Sequence, residues 1–277
     1  MSLDYTVHIA EPIPLHTTAL VPNGDRRMFS PLSTTLIHGD GDAVLVDPPM
    51  TVEQTAAVGD WVAASGKNLT HVVATHGHGD HWFGAALLAA RFDATVVATA
   101  GTIGQMHRNV AIRATFWDAL LPGQIPDAPV TAVVPDGNRI QLEGHELVLV
   151  EVGHSDTDDT SVLHVPALDL VVAGDVVYNG VHQYLAEAHG DGRDAWRRAI
   201  DVVEALRPRW VVTGHKNQDL DDDATRAIAE TRAYLDAVDE LLAQHDNALD
   251  FFRAMVKRFP DRLNAGALWG GATALYA

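Results

Sequence analysis

Between residues 75 and 84 the chain reads Thr75-His76-Gly77-His78-Gly79-Asp80-His81-Trp82-Phe83-Gly84, which places four metal-ligand side chains within six positions. A short β-rich apolar run at 71–74 leads in and a helical pattern at 84–92 leads out, so the segment is a strand-to-helix turn. Gly77 and Gly79 allow backbone angles that other residues avoid, and both imidazoles are expected to turn to one side. Asp80 and His81 then stand at the helix entrance, aimed at nearly the same point. A lone aspartate there would read as a helix cap and lone histidines as polar loop residues. Neutral imidazoles crowded this closely, each with a lone pair to offer, instead point to a metal cation.

The same construction recurs three times downstream, as a β-rich run, a glycine and one ligand-type residue. Gly153-His154 follows 146–152, Gly174-Asp175 follows 170–173 and Gly214-His215 follows 210–213. One Gly-His at a strand end is weak evidence. Three such ends, added to the first cluster, point to one site assembled where sites in layered α/β folds gather. Further strands are expected at 33–37, 43–46, 95–98 and 161–165, and helices at 52–65, 84–92, 104–121, 194–206 and 223–244. Gly39-Asp40-Gly41-Asp42 and Pro166-Ala167-Leu168-Asp169 read as hairpin connections, so part of the sheet is antiparallel. In the last helix Ile228, Leu235, Val238 and Leu242 recur at spacings of seven, three and four, building one apolar stripe. Asp221, Asp222 and Asp223 suit its positive N-terminal end. Residues 220–277 read as a C-terminal helical extension packed on a main domain of 1–219, since roughly 55 residues make a marginal core alone.

Composition narrows the chemistry. There is no cysteine, which excludes thiolate ligands, thiol nucleophiles and disulfides and leaves any metal to nitrogen and oxygen donors. The 277 residues carry 19 Lys+Arg against 37 Asp+Glu, a net charge of −18 that repels phosphate backbones and anionic bilayers. A small-molecule substrate is expected, not nucleic acid or membrane. The N-terminus lacks a basic, apolar leader, and no run of about 18 apolar residues occurs, so a soluble cytoplasmic protein is expected. A homodimer through the helical extension is one assembly open to it.

The pattern His76-x-His78-x-Asp80-His81, with the distant His154, Asp175 and His215, resembles the metallo-β-lactamase-fold superfamily of metallohydrolases over roughly residues 30–217. The resemblance implies an α/β fold, a four-layer αββα sandwich, bearing the C-terminal helical extension. It also implies two divalent metal ions, one held by His76, His78 and His154, the other by Asp80, His81 and His215, with Asp175 bridging them. Asp47, in Leu45-Val46-Asp47-Pro48, would orient a ligand histidine from behind. Asp175 stands where one β-lactamase subclass carries a cysteine, so the chain is similar to the hydrolases with a carboxylate bridge. Zinc suits such donors, and iron or manganese would be tolerated.

In this resemblance two cations about 3.5–4 Å apart hold a hydroxide and polarise the substrate carbonyl, while Asp80 passes a proton to the leaving group. Tyr178, three residues after Asp175, resembles the tyrosine that acyl-homoserine lactonases of the superfamily place beside the substrate carbonyl. Hydrolysis of a lactone or other carboxylic ester is the first expectation; thioester hydrolysis, as in the glyoxalase II branch, and β-lactam hydrolysis are the alternatives. The run Ser155-Asp156-Thr157-Asp158-Asp159-Thr160-Ser161 departs from the Thr-Pro-Gly common in the glyoxalase II branch, which lowers that alternative. A nuclease is disfavoured by the charge. An iron oxidoreductase with one metal would leave the second ligand set unused. Met106, Phe116, Trp117 and Leu120, with Phe251, Phe252 and Trp269, offer apolar surface that could wall an acyl pocket or join the core.

Overall fold

The computed structural model describes residues 2–127 and 130–277. Strands β1 (Asp4–Ala10), β2 (Leu32–His38), β3 (Asp42–Val46), β4 (Asn68–Val73) and β5 (Thr95–Val97) lie side by side in that order in one sheet. The second sheet runs β10 (Trp210–Thr213), β9 (Leu170–Gly174), β8 (Thr160–Val165), β7 (His145–Gly153), β6 (Arg139–Leu142). In the first, β1, β2 and β3 pair antiparallel and β3, β4 and β5 parallel. In the second only the β9–β10 pair is parallel. Both expected hairpins are present, joining β2 to β3 and β8 to β9.

The helices are α1 (Val52–Ala64), α2 (Ala85–Phe92), α3 (Ala100–Ile112), α4 (Trp117–Leu120), α5 (Gly192–Ala205), α6 (Ala224–Leu242), α7 (Ala248–Arg258) and α8 (Ala265–Leu275). Val44, Val46 and Val73 meet Leu147, Leu163 and Val172 between the sheets. Val58 and Val62 of α1 and Leu88 of α2 cover the other face of the first sheet through Leu45 and Val72. Trp196 and Ile200 of α5, with Leu235 and Val238 of α6, cover the second through Val171 and Val211. The layering is therefore helix, sheet, sheet, helix: the αββα sandwich. Each such side chain contributes about 1.5–3 kcal/mol by leaving water. Phe251, Phe252 and Met255 of α7 and Leu268 of α8 sit in the same core as α5. No helix among the described residues is long and apolar enough to cross a membrane.

Two strands escape the sequence pattern, and both are sheet edges. In β1 exposed and half-buried positions mix, and β6 has four residues alternating outward and inward; an edge is wetted and needs no apolar run. The expected helix at 104–121 is instead two helices. Thr99 caps α3 early, its hydroxyl accepting from the Thr102 N–H at 3.3 Å. Beyond Ile112 the Arg113 guanidinium turns to Asp118 and to the Ile125 and Pro126 carbonyls, and α4 starts on a new axis.

Candidate metal centre

Strands β7, β9 and β10 point the same way in their sheet, as β3 and β4 do in theirs, so five C-terminal strand ends gather at one edge of the sandwich. Backbone bonds stitch that edge together: Ser33 N–H to Gly214 O at 2.8 Å, Gly214 N–H to Gly174 O at 2.7 Å, and Ser161 N–H to Thr75 O at 2.9 Å. The glycines serve mainly close approach. A Cβ on Gly214 would lie 2.3 Å from Asp175 Oδ1 and 2.6 Å from the His81 ring. Gly77 and Gly79 do not take the positive φ expected of them; a Cβ on Gly77 would strike Gln105 at 2.2 Å.

Three groups of side chains there could hold a metal ion: His76 with His78 and Asp156, His76 with His81 and Asp175, and Asp80 with His81 and His215. The outer two share no residue, and the middle one shares His76 with the first and His81 with the third, so two centres adjoin. His78 Nδ1 lies 2.8 Å and His76 Nε2 3.7 Å from Asp156 Oδ2. Asp80 Oδ2 lies 3.2 Å from His81 Nε2 and 3.3 Å from His215 Nε2, and Asp175 spans 3.4 Å to each of these imidazoles. His76 Nε2, His81 Nε2, Asp156 Oδ2 and Asp175 Oδ1 are all buried without a hydrogen-bond partner. Buried polar atoms are rarely left so. Four of them converging, all imidazole nitrogen or carboxylate oxygen, fit divalent cations.

The opposite ring nitrogen of each histidine is fixed from behind, which sets the tautomer. His76 Nδ1 meets the Thr75 hydroxyl at 3.0 Å, His81 Nδ1 meets Asp47 Oδ2 at 3.1 Å, and His215 Nδ1 meets the Pro31 carbonyl at 2.8 Å. His78 Nε2 meets Glu187 Oε1 at 2.9 Å. Asp47, itself at φ 54°, also accepts from Thr75 N–H and Oγ1, both at 2.8 Å. Asp47→Ala is expected to weaken metal binding at the Asp80–His81–His215 group roughly 10–100-fold. Chelator competition measures this; unchanged affinity would show that His81 needs no such support.

Electrostatics agree with the donor set. Burial, reinforced by His81, pushes His76 down to about 4. Burial also disfavours the His81 imidazolium, but Asp80, Asp175 and Asp47 outweigh it and hold His81 well above the usual range. Burial would raise Asp80, yet His81 and His215 hold it well below. Protons thus balance the buried carboxylates in the absence of another cation, and a metal would replace them.

Two of the expected residues stand apart from the three groups. His154 belongs to none of the three groups: its Nδ1 turns to Asp158 Oδ1 at 2.7 Å, and its Nε2, also buried without a hydrogen-bond partner, faces Gly192. Asp156, two residues on and fully buried, is the residue that joins His76 and His78 in the first group. The side chains of Ser155 and Thr160 hold that turn, Ser155 Oγ donating to Asp156 Oδ1 at 2.8 Å. The signal for Asp156 is the acidic run directly after a strand end, where the motif pattern points to His154 instead. Tyr178 does line the site, but its hydroxyl donates to Asp175 Oδ2 at 2.5 Å. Burial and Asp175 push it well above its ordinary value, so it stays a neutral donor committed to that carboxylate. Glu187 and Tyr184, whose ring meets His78 edge-on at 5.6 Å, carry no sequence signal because each is isolated in a loop.

The groups form part of the lining of a cavity of about 530 Å³. Leu15, Phe29, Ile112, Phe116, Trp117 and Leu120 supply apolar wall. Of the aromatics expected there or in the core, Phe116 and Trp117 line the cavity, whereas Phe251 and Phe252 are buried and Trp269 packs against them. Met106 joins the core cluster around Trp82 and Phe83.

Comparison with known proteins agrees with this geometry. A metallo-beta-lactamase family protein from Thermus thermophilus superposes with a TM-score of 0.65 at 17% identity, covering 96% of this chain and 91% of that one. A beta-lactamase domain protein from Burkholderia ambifaria gives 0.62 at 19% identity, covering 97% and 84%. A hydroxyacylglutathione hydrolase of Acidiphilium cryptum (strain JF-5) is 38% identical over 117 residues, 42% of this chain; the match spans 40% of that relative's length. The sequence profile of the metallo-beta-lactamase superfamily matches residues 28–215, the stretch that holds every residue of the three groups, and the chain belongs to that superfamily.

Proposed function

We propose that the protein is a metal-dependent hydrolase with two divalent ions, cleaving the carbonyl–oxygen bond of a lactone or other carboxylic ester. One observation carries this reading: two adjoining His/Asp groups with four unpartnered buried donor atoms, set in a cavity with an apolar wall. In the proposal His76, His78 and Asp156 hold one ion and Asp80, His81 and His215 the other, with Asp175 between; zinc suits these donors, and iron or manganese would be accepted. Bound there, the ions would supply hydroxide near neutral pH and draw electrons from a carbonyl oxygen.

The chain's own residues do the rest. Tyr178 fixes Asp175 by donating to one of its oxygens, leaving Oδ1 for the centre. Asp80 lines the cavity as a carboxylate and is placed to relay a proton from the newly formed carboxylic acid to the departing alkoxide. Phe29, Trp117 and Leu120 exclude water from the acyl chain. Thioester hydrolysis is the second reading, favoured by the likeness to hydroxyacylglutathione hydrolase over part of the chain.

The test is acid release by metal-quantified protein on one panel: an aliphatic lactone, an open-chain ester, a thioester, a β-lactam and a phosphodiester. Turnover is expected on the lactone or ester with two ions per chain. Preference for the thioester selects the second reading. A panel wholly inert at full metal occupancy overturns both.

A further inference from the structure

The cavity contains two arginines that the chemistry above leaves unused. Arg27, in the segment before β2, and Arg108, on α3, are the only Lys or Arg residues among the described lining residues. Neither makes an ion pair with a described carboxylate, whereas Arg113, Arg193, Arg197 and Arg232 each do. Arg27 Nε is buried without a hydrogen-bond partner. Its Nη2 lies 3.8 Å from where a Cβ on Gly270 would stand, so the guanidinium rests against the glycine surface of α8. Leaving a guanidinium N–H unpaired is costly, and in a chain of net charge −18 carboxylate partners are plentiful.

Resting on the hydrolase reading, charge accounting shows what these arginines could select. Asp80, Asp156 and Asp175 with one hydroxide would neutralise two divalent ions. Glu187 is engaged by His78 and by Thr157, whose hydroxyl donates at 2.8 Å. Against that one carboxylate stand two guanidinium groups, of half-buried Arg27 and exposed Arg108, so this part of the lining keeps net positive charge together with the apolar wall of Ile112, Phe116 and Trp117. We infer that the substrate is an amphipathic acyl compound bearing an anionic group, a carboxylate, away from the scissile bond, and that Arg27 is the residue that selects it, with Arg108 in support.

Two esters of equal chain length test this: mono-4-nitrophenyl glutarate, which ends in a carboxylate, and 4-nitrophenyl pentanoate, which ends in a methyl. The wild type should prefer the glutarate. Arg27→Gln should raise its KM about 10–100-fold, as expected for losing a charge-assisted contact, and leave the pentanoate unchanged; Arg27→Lys should recover part of the loss. Arg108→Gln should act in the same direction with a smaller effect. Equal loss on both esters, or none on the glutarate, overturns the inference.

Binding separates this from the hydrolase reading. Hexanesulfonate, an anion that coordinates metals weakly, should bind at least 10-fold more weakly to Arg27→Gln than to wild type by tryptophan fluorescence, and hexanol equally to both. That result, with both esters and the whole substrate panel inert at full metal occupancy, supports the anion site and sinks the hydrolase. Turnover with sulfonate binding indifferent to Arg27 does the reverse.

Discussion

Asp156→Ala is expected to lower bound metal from the two ions proposed per chain to one. It should cut kcat by more than the roughly 10–100-fold typical of losing an outer partner of a ligand. Its carboxylate is fully buried, with Oδ2 unpartnered and 2.8 Å from His78 Nδ1. Asp156→Asn keeps the shape and the Ser155 contact, so a matching loss of metal there would trace to the charge and not to misfolding. His154→Ala should keep both ions, because its Nε2 faces Gly192 and the residue stands outside all three groups. Metal quantification and initial rates on the three variants decide the matter. Two ions and full activity in Asp156→Ala, with one ion in His154→Ala, would return the ligand role to His154.

Trp196→Ala carries the largest expected loss of stability, about 3–5 kcal/mol, the usual range for deleting a buried aromatic. Trp196 is fully buried in α5 within the core shared by the second sheet and the C-terminal helices. Its Nε1–H donates to the Val176 carbonyl at 2.9 Å, and its ring lies 6.1 Å from Tyr178. Val176 follows Asp175 directly, so the same side chain supports the sandwich and the loop that carries a candidate ligand. Trp196→Phe keeps most of the apolar contact and leaves one buried carbonyl unpaired, a cost of about 1–3 kcal/mol. Urea unfolding of both variants measures the difference. A loss below about 1 kcal/mol for the alanine variant would mean that the surrounding helices close over the gap.

Much of the site is legible in the order of residues. The strand–glycine–ligand pattern locates His76, His78, Asp80, His81, Asp175 and His215, because strand ends of one polarity in a layered α/β fold must share an edge. Helix α6 is readable from its apolar stripe, and its start from Asp223, whose side chain accepts from the Arg226 N–H at 2.8 Å. The edge strands β1 and β6 are not legible, since a wetted edge leaves no apolar periodicity. The division of 104–121 is hidden as well, because it depends on Arg113 reaching carbonyls a dozen residues away.

Residue types and their spacing, which are local, determined that a nitrogen and oxygen donor set exists and at which strand ends it lies. Tertiary structure alone decided which donors converge. His154 and Asp156 leave the same strand two residues apart, and the sequence pattern points to His154 alone. The turn held by Ser155 and Thr160 sends one inward and the other to Asp158. Likewise Arg27 becomes a cavity residue only because α8, distant in sequence, packs beside it. Side-chain direction in a loop is set by hydrogen bonds and contacts formed on folding, and these have no periodicity for a sequence to display.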